Sequence, residues 1–372
     1  MRIRKIALLL GVTAVALCGC SNKSGESVNT ETPATQEELP PIEINTERAT
    51  EMLGDTETAA ESESSYEEIT SDEEVKMFDS VAMVGDAAYE LYTYKADAAE
   101  DYAKAVNELA DKYAGKVNVY DIVIPLGSGI VFPDNLKDQI KNSDQKKAMD
   151  DIHGMMNDNV KTVDIYDSLM SHRTEYIYFR TDHHWTPLGA YYAYQKFCEV
   201  KGIEPEALDS YETKEFDGFL GSFYKDTDNS EVVKNNKDTI TAYMPNSKDT
   251  IMHVTADDGT EYDWNVIYDV SGYEAGLKYS AFVAGDNPYS VIENKDLTDG
   301  SSCIVLKESF GNAFTPFLVD HYQTIYLVDY RYYTGKLSKL IEETGATDVI
   351  MLNNLSMIRN KYLVGQLKGV MQ

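Results

Sequence analysis

From residue 80 onward, short apolar runs alternate with longer segments of helical periodicity. The short runs are rich in β-branched residues, and most of them are apolar at consecutive positions instead of alternate ones. Strands that are buried on both faces have this pattern, which is typical of a parallel sheet covered by helices. We therefore predict strands at residues 117–125, 160–166, 176–179, 303–307, 324–329 and 348–352.

The segments between these runs carry helix signals. Residues 98–114 place apolar side chains on one face and are followed by Gly115, and residues 335–344 form a second amphipathic segment. Thr186 followed by Pro187 is typical of a helix start, with a capping hydroxyl before a proline in the first turn. The alternation of strands and helices predicts a three-layer α/β/α domain with a mainly parallel sheet.

Residues from 209 to about 300 interrupt this alternation. Gly, Asp, Asn and Tyr are abundant there, and residues 239–244 and 262–268 resemble short strands. We interpret the region as a β-rich insertion lying over the sheet, since excursions of this kind often form lids or binding surfaces.

The charge distribution separates an N-terminal region from the folded part. The 372 residues include 63 acidic and 33 basic ones, so the formal net charge is −30, which excludes nucleic-acid binding through a broad basic surface. Residues 21–78 are rich in Glu, Ser and Thr, a composition that buries too little apolar surface to offset chain entropy. We predict an acidic disordered tether at 21–78 and a folded domain at 79–372.

The first twenty residues are typical of an export signal. Three basic residues precede an apolar run over residues 6–17, which is too short to span a membrane. The run ends in Leu-Cys-Gly-Cys, which resembles a bacterial lipobox, so Cys20 is the predicted lipidation site. We expect a lipoprotein signal peptide at 1–20 and an extracytoplasmic protein that is lipid-anchored to the membrane of the bacterial cell envelope. An ordinary signal peptide that leaves Cys20 as a free thiol is the alternative.

Two further cysteines, Cys198 and Cys303, lie in apolar segments. An oxidising compartment permits a disulfide between them, while apolar surroundings favour two buried thiols. The sequence leaves both interpretations open.

Two polar motifs follow predicted strands. The first is Arg-Thr-Asp-His-His-Trp-Thr at 180–186, after the run at 176–179, and the second is Glu-Ser-Phe-Gly-Asn at 308–312, after the run at 303–307. In an open parallel sheet, ligands bind at the carboxyl ends of the strands. We therefore expect the two motifs to face each other across one crevice.

These motifs contain the residue types of nucleophilic catalysis. A serine hydroxyl needs a base, most often histidine, and a carboxylate fixes the tautomer of that histidine. Ser309, His184 and Asp182 are the predicted nucleophile, base and orienting acid, because a spacing of two lets one turn place the acid beside the histidine. The N–H groups of Phe310 or Gly311, with a side-chain amide, are candidates for an oxyanion hole.

The string Thr-Asp-His-His-Trp-Thr at 181–186, followed by Pro-Leu-Gly-Ala-Tyr-Tyr-Ala-Tyr, resembles the hallmark of the bacterial DHHW proteins. These are similar to the alginate O-acetyltransferase and SGNH-hydrolase-like families, whose Asp-x-His-Trp motif precedes the nucleophilic serine of an Asp-Ser-Phe segment. The resemblance extends from Val84 through Asn354. It implies an SGNH-hydrolase-like fold, with Asp182 and His184 as the family dyad and Ser309 as the nucleophile.

The same resemblance implies further site residues. It suggests that Arg331 lines the site and that Asn312 or Asn353 donates to the oxyanion. The family has Asp before the serine, whereas this chain has Glu308, which keeps the charge. Trp185 either packs in the wall of the crevice or stacks on a sugar.

Other interpretations of these residues stay open. Asp182, His183 and His184 would form a metal site with a remote ligand, but the sequence contains no His-x-x-x-His or His-Glu-x-x-His motif, so we predict no metal. Ser309 is otherwise a strand-end cap, and Arg331 a partner in a surface ion pair.

The function that these residues predict is acyl transfer in the cell envelope. A Ser-His-Asp triad moves an acyl group, by the resemblance an acetyl group, to or from a carbohydrate hydroxyl or to water, and this chemistry needs no cofactor. The resemblance also implies an integral membrane acyltransferase as the acyl donor. The alternative is a non-catalytic carbohydrate-binding or assembly lipoprotein with the same fold.

Overall fold

The computed structural model describes residues 66–372. The predicted signal peptide at 1–20, the lipidation site Cys20 and most of the predicted tether lie outside the described residues. From residue 66 to the C-terminus, the chain has no helix that is long and apolar enough to cross a membrane.

Strands and helices alternate through much of the described chain. The strands are β1 (Val75–Phe78), β2 (Val81–Val84), β3 (Ala87–Glu90), β4 (Asn118–Ile124), β5 (Val160–Thr162), β6 (Glu212–Phe219), β7 (Asp238–Met244), β8 (Thr250–Thr255), β9 (Glu261–Trp264), β10 (Tyr289–Asn294), β11 (Ser302–Lys307), β12 (Thr324–Asp329) and β13 (Asp348–Asn354). The α-helices are α1 (Ala96–Lys112), α2 (Gly127–Ile130), α3 (Gln145–Gly154), α4 (Tyr166–Ser171), α5 (Pro187–Lys201), α6 (Phe223–Asp226), α7 (Glu231–Asn235), α8 (Phe310–Phe314), α9 (Leu337–Thr344), α10 (Leu355–Ile358) and α11 (Lys361–Met371). Short 3-10 helices lie at Asp134–Gln139, Leu208–Ser210, Ala275–Ala281 and Thr315–His321.

Eight strands form the main sheet in the order β5-β4-β13-β11-β12-β10-β8-β9. The first five run parallel to their neighbours, and β10, β8 and β9 continue the sheet with antiparallel pairing. All residues of β11 and β13 are buried, so both faces of the sheet are covered. The predicted α/β domain with a mainly parallel sheet is confirmed.

Two groups of helices pack on this sheet. In the first group, α1 contacts α3, α10 and α11, and α11 contacts α9; in the second, α5 contacts α4 and α8. The buried face of α1 includes Tyr102, Val106 and Leu109 at helical spacing, which is the apolar stripe that the sequence predicts. Thr186 caps α5 with Pro187 in its first turn, as expected, and α5 ends at Gly202 in a left-handed conformation.

The insertion at 209–300 is β-rich, but it does not simply lie over the sheet. Strands β8, β9 and β10 extend the main sheet at one edge, and only the β6-β7 hairpin forms a separate sheet. Strand β10 connects these strands to the sheet, because it pairs with β12 on one side and with β8 on the other. Its residues alternate between buried and half-buried positions. An alternating pattern indicates a strand but not which sheet it joins.

The folded region begins before residue 79, so the predicted boundary is too late. Strand β1 lies within the predicted tether and pairs with β2, which pairs with β3 in a three-stranded antiparallel sheet. Upstream of β1, the Ile69 N–H donates to Asp134 Oδ2 at 2.9 Å. This segment is polar because β1 is an exposed edge strand. Its pairing uses backbone groups, which amino-acid composition does not reveal.

Residues 176–179 do not form a strand of the main sheet, contrary to the prediction. Ile177 and Phe179 are buried, which explains their apolar character, but their backbone groups pair with the loop that follows. The Phe179 N–H donates to the His184 carbonyl at 3.2 Å, and the Thr186 N–H donates to the Ile177 carbonyl at 2.9 Å. The first polar motif is therefore a closed loop, anchored by a single bridge between Tyr178 and Trp185.

Cys198 and Cys303 are both free and fully buried. The structure thus decides between the two interpretations of this pair in favour of two thiols. Both side chains belong to the main hydrophobic core.

Replacing Gly189 with alanine should destabilise the closed loop. A Cβ at this position in α5 would lie 2.4 Å from the Ile177 carbonyl oxygen and 3.2 Å from Trp185 Cβ. We expect Gly189→Ala to lower the free energy of unfolding by about 1–3 kcal/mol in urea denaturation, since overpacking forces backbone shifts. Gly365→Ala in α11 is the matched control, because its Cβ would meet nothing within 4 Å, and it should raise stability by about 0.5–1 kcal/mol. Equal effects of both substitutions would contradict this account.

Candidate active site

The second polar motif makes a tight turn from β11 into α8. Ser309 directly precedes α8 with φ −64° and ψ −23°. Gly311 is required in this turn, since a Cβ there would lie 2.7 Å from Lys307 Cβ. The turn thus presents the Ser309 side chain at the carboxyl end of a buried parallel strand, as the sequence predicts.

The closed loop at 180–186 is held from two sides. Asp238 is fully buried, and its Oδ2 accepts hydrogen bonds from the Thr181 N–H at 2.8 Å and the Thr181 hydroxyl at 2.6 Å. At the other end, the Trp185 indole N–H donates to the Phe310 carbonyl at 3.0 Å. This bond connects the two polar motifs directly.

Asp182, His184 and Ser309 form one hydrogen-bonded chain. Asp182 Oδ1 lies 2.5 Å from His184 Nδ1, and His184 Nε2 lies 2.7 Å from Ser309 Oγ. An ionised carboxylate only accepts hydrogen bonds, so Nδ1 carries the imidazole proton and Nε2 accepts from the serine hydroxyl. This is the geometry of a serine nucleophile beside its base.

Backbone N–H groups donate to both oxygens of Asp182. The Ser222 N–H donates to Asp182 Oδ2 at 2.8 Å, while the His184 N–H donates to Oδ1 at 3.1 Å. Gly221 is needed at this contact, because a Cβ there would lie 2.1 Å from Asp182 Cβ. The orientation of the acid therefore depends on a segment some forty residues further along the chain.

The surroundings of Asp182 and His184 favour the protonation states that base catalysis requires. Burial raises the pKa of Asp182, but its interactions with His184 and His183 and the hydrogen bonds that it accepts outweigh burial and hold the pKa well below its usual value, so Asp182 remains ionised. Burial, reinforced by His183, lowers the pKa of His184 to about 4, although Asp182 opposes the shift. The imidazole is therefore neutral near pH 7 and able to accept the Ser309 proton.

Aromatic rings surround the His184 imidazole. Tyr279 stacks on it with ring centroids 4.1 Å apart and 13° between the planes, and its hydroxyl donates to the Ser309 carbonyl at 3.1 Å. His183 lies on the imidazole as well, with centroids 3.9 Å apart, and its Nδ1 is 2.8 Å from Ser222 Oγ. These contacts restrict the rotation of the base.

Glu308 joins the ends of two strands beneath the serine. It is fully buried, and its two oxygens accept hydrogen bonds from the Asn354 N–H and the Phe310 N–H, both at 3.2 Å. Oε2 also lies 3.4 Å from Ser309 Oγ. Burial raises the pKa of Glu308, and Arg331 opposes the shift.

The predicted oxyanion donors are already engaged in this structure. The Phe310 N–H donates to the Glu308 carboxylate, and the Gly311 N–H donates to the Glu308 carbonyl at 3.0 Å. Asn353 Nδ2 donates to the Tyr102 hydroxyl at 3.3 Å, deep in the core. The two backbone N–H groups therefore hold the turn together, whereas Asn353 bonds to Tyr102 instead, and an oxyanion role for any of these groups stays a prediction.

The sequence matches the DHHW protein family over residues 54–328. This chain belongs to the DHHW family. No curated protein matches this DHHW protein by sequence.

Solved structures show the same fold. A DHHW family protein from Eubacterium siraeum DSM 15702 is 29% identical and superposes with a TM-score of 0.73, covering 82% of this chain and 99% of that one. PatB1 of Bacillus cereus, solved with a sulfonyl adduct, is 19% identical with a TM-score of 0.66, covering 81% of this chain and 100% of that one. The α/β architecture is thus shared by other solved proteins.

A buried charge network lies beside the serine turn of this DHHW protein. Arg331 donates to both oxygens of Asp329, at 2.8 and 2.6 Å, and its Nη2 lies 3.0 Å from Asp286 Oδ2. Lys307 Nζ lies 3.3 Å from Asp329 and 3.8 Å from Asp286. Asn312 Nδ2 donates to Asp286 at 2.9 Å. Arg331 therefore belongs to a mostly buried cluster and not to the surface ion pair of the alternative interpretation, and its predicted role in lining the substrate site stays a prediction.

Trp185 packs beside the two motifs in this DHHW protein, in agreement with the wall-packing interpretation, and a role in substrate binding stays a prediction. The indole is fully buried and packs against Phe310 and Phe314. Its hydrogen bond to the Phe310 carbonyl makes it a connection between the two motifs. Trp185 follows His184 in the sequence, but no sequence signal distinguishes an indole that faces a sugar from one that packs beneath the site.

The metal interpretation involves side chains that already have partners. Asp182, His183 and His184 offer donor atoms within 4.8 Å of one another. Both ring nitrogens of His184 are engaged, one with Asp182 and one with Ser309. A metal bound there would have to displace one of these bonds.

Sequence reasoning missed Gly221, Ser222, Tyr279 and Asp286. The first two lie in Phe-Leu-Gly-Ser-Phe at 219–223, where a Gly-Ser pair between apolar residues is the one available signal of a close backbone approach. Tyr279 and Asp286 lie in the insertion, and nothing in their spacing links them to the two motifs.

The ionisation of His184 can be followed by nitrogen-15 NMR of the histidine side chains. We expect half-protonation near pH 4 in the folded protein, against 6.5 for an ordinary histidine, because burial disfavours the imidazolium. The unfolded chain takes up this proton at higher pH, so the contribution of His184 to the free energy of unfolding falls as the pH drops from 6.5 to 4. Half-protonation of the folded protein at pH 6.5 or above would contradict the buried, neutral base.

Proposed function

We propose that this DHHW protein is a serine-dependent acyl-transfer enzyme, an O-acetyltransferase or esterase acting on carbohydrate. The observation that carries the proposal is the continuous chain from Asp182 through His184 to Ser309, with contacts of 2.5 and 2.7 Å. A strand-end serine without catalytic function has no need of a buried, neutral histidine and an oriented carboxylate.

The reaction runs in two steps. Ser309 Oγ attacks the acyl carbonyl while its proton passes to His184 Nε2, and the imidazolium then gives this proton to the departing alcohol, leaving acyl-Ser309. In the second step, His184 takes a proton from a sugar hydroxyl or from water, whose oxygen attacks the acyl carbon. The bond from the acyl carbon to Ser309 Oγ then breaks, and the imidazolium returns its proton to Ser309 Oγ. Asp182 stays ionised and stabilises the imidazolium in both steps.

The acyl group and acceptor follow from the family resemblance. DHHW proteins resemble alginate O-acetyltransferases, which supports acetyl as the transferred group and a carbohydrate hydroxyl as its acceptor. We extend the proposal to an integral membrane acyltransferase as acyl donor, and to an extracytoplasmic location through lipidation of Cys20 and an acidic tether.

The triad can be tested with p-nitrophenyl acetate and the purified full chain. We expect Ser309→Ala and His184→Ala to lower kcat/KM about a thousandfold, since removing either member disables the nucleophile. Activity should fall as the pH drops below about 5, when His184 becomes protonated. The matched control is His253→Ala, because His253 also pairs with an aspartate, Asp263, at 2.6 Å but on the exposed surface.

The control should retain the wild-type rate, and circular dichroism should show that all variants fold. Wild-type hydrolysis that survives Ser309→Ala would overturn the proposal. A sulfonyl fluoride gives an independent test, prompted by the sulfonyl adduct of PatB1: intact mass should show one adduct on the wild type and none on Ser309→Ala. A chain without turnover and without adduct would favour a carbohydrate-binding lipoprotein.

A further inference from the structure

One short segment of the insertion contacts the serine turn at two places. Tyr279, in the 3-10 helix Ala275–Ala281, stacks on His184 and donates to the Ser309 carbonyl. Seven residues later, Asp286 accepts the hydrogen bond from Asn312, whose backbone N–H donates to the Ser309 carbonyl at 3.1 Å. Asp286 is thus separated from the nucleophile by a single helical turn.

The backbone before Asp286 is held in a conformation that side chains rarely adopt. Val283, Ala284 and Gly285 have φ angles of 45°, 57° and 78°, all in the left-handed region. A non-glycine residue there costs on the order of 1–3 kcal/mol, and strain of this kind accumulates at functional sites. The Val283 N–H donates to the Val266 carbonyl at 2.8 Å, which fastens the segment to the insertion.

Asp286 is the outward member of the buried charge network. The side chains of Lys307 and Asp329 are 2% and 0% exposed and that of Arg331 is 15% exposed, whereas Asp286 is 31% exposed. Burial raises the pKa of Asp286, but Arg331 and Lys307 lower it to about 2, so it is a carboxylate at neutral pH. It also acts on His184, where its charge favours the imidazolium.

Tyr332 presents an aromatic surface beside this carboxylate. The Arg331 guanidinium lies over the Tyr332 ring, with Cζ 5.3 Å from the ring centroid, and Tyr332 is 47% exposed. Burial raises the pKa of Tyr332, Arg331 lowers it, and the charges of Asp286, Asp329 and Asp257 raise it. The surface combines an exposed ring with a partly exposed carboxylate, whose two oxygens also contact Asn312 and Arg331.

We propose that Asp286 and Tyr332 form the subsite for the acceptor sugar and that this acceptor is an uncharged glycan. The inference rests on the proposed acyl transfer and adds the class of acceptor to it. The carboxylate of Asp286 accepts hydrogen bonds from neighbouring hydroxyls of one sugar ring, and the Tyr332 ring packs on its C–H face. The bound sugar thereby holds one hydroxyl toward His184 and acyl-Ser309.

The charge of the site determines the class of glycan. Arg331 and Lys307 are neutralised by Asp329 and Asp286, so the subsite has no unpaired cation to bind a sugar carboxylate. The chain as a whole carries a formal charge of −30, which repels a polyanion. A polyuronate would place its carboxylates against Asp286, whereas a neutral sugar offers it only hydroxyl donors.

The test measures how acyl-Ser309 partitions between sugar and water. The full chain is given p-nitrophenyl acetate with hexamers of β-glucan, mannan or chitin, or with oligogalacturonate of equal length. Acetylated oligosaccharide and free acetate are quantified by mass spectrometry, and p-nitrophenol release reports acylation separately. We expect transfer to at least one neutral hexamer, and a ratio of transfer to hydrolysis that falls about tenfold in Asp286→Asn and Tyr332→Ala.

Conservative and matched variants separate binding from folding. Tyr332→Phe keeps the ring and should keep the ratio. Asp134→Asn removes an aspartate that pairs with Arg173 at 2.8 Å, and Tyr362→Ala removes a tyrosine that is 73% exposed; both should leave the ratio unchanged. Calorimetry on Ser309→Ala, which has no nucleophile, should show binding of the neutral hexamer that a second substitution, Asp286→Asn, weakens.

Each contrary result identifies what fails. An unchanged ratio in both Asp286→Asn and Tyr332→Ala, faster transfer to oligogalacturonate, or no transfer to any neutral hexamer would overturn the subsite while acylation of Ser309 stands. Absence of p-nitrophenol release by the wild type would overturn the proposed function itself.

Discussion

The hydrogen bond from the Trp185 indole to the Phe310 carbonyl is the contact on which the site geometry depends. It joins two segments 125 residues apart in the sequence, and it lies directly behind the equally long-range bond between His184 and Ser309. A serine hydroxyl shares its proton with a histidine only at hydrogen-bond distance, so the positions of the two side chains must be correct to a few tenths of an ångström. Trp185 and Phe310, which directly follow His184 and Ser309, are hydrogen-bonded to each other in the core. This buried contact therefore fixes the relative position of the two reacting side chains.

The buried charges beside the serine turn make the same region rigid. Lys307 and Asp329 are the last residues of adjacent parallel strands, and each is nearly or fully buried. Removing one partner of such a pair would leave an uncompensated charge in the core, which costs about 3–5 kcal/mol. Gly311 lies against the stem of Lys307, so the turn that carries the serine is built directly on this ion pair.

The features that sequence predicted are those set by local pattern. Strands such as β11 and β12 are apolar at consecutive positions, and helix α5 begins with Thr186 and Pro187, so both could be located without knowledge of their neighbours. The meeting of the two polar motifs followed from the rule for strand ends, even though residues 176–179 form a closed loop instead of a strand. Tyr279 and Asp286 were missed, and the two interpretations of Trp185 stayed open, because the roles of these residues are set by tertiary contacts with distant segments. The catalytic assignments themselves still rest on residue chemistry and geometry.

The two free cysteines have a consequence for how this protein matures. Burial raises the pKa of Cys198 to about 12 and that of Cys303 well above its ordinary value, so neither forms the reactive thiolate in the native state. Described residues 66–372 thus reach their final packing without a covalent cross-link between these two sites. Folding of this domain therefore requires no disulfide between Cys198 and Cys303, and burial shields both thiols from oxidants in the folded state. An oxidant acts on Cys198 and Cys303 only before the core closes over them.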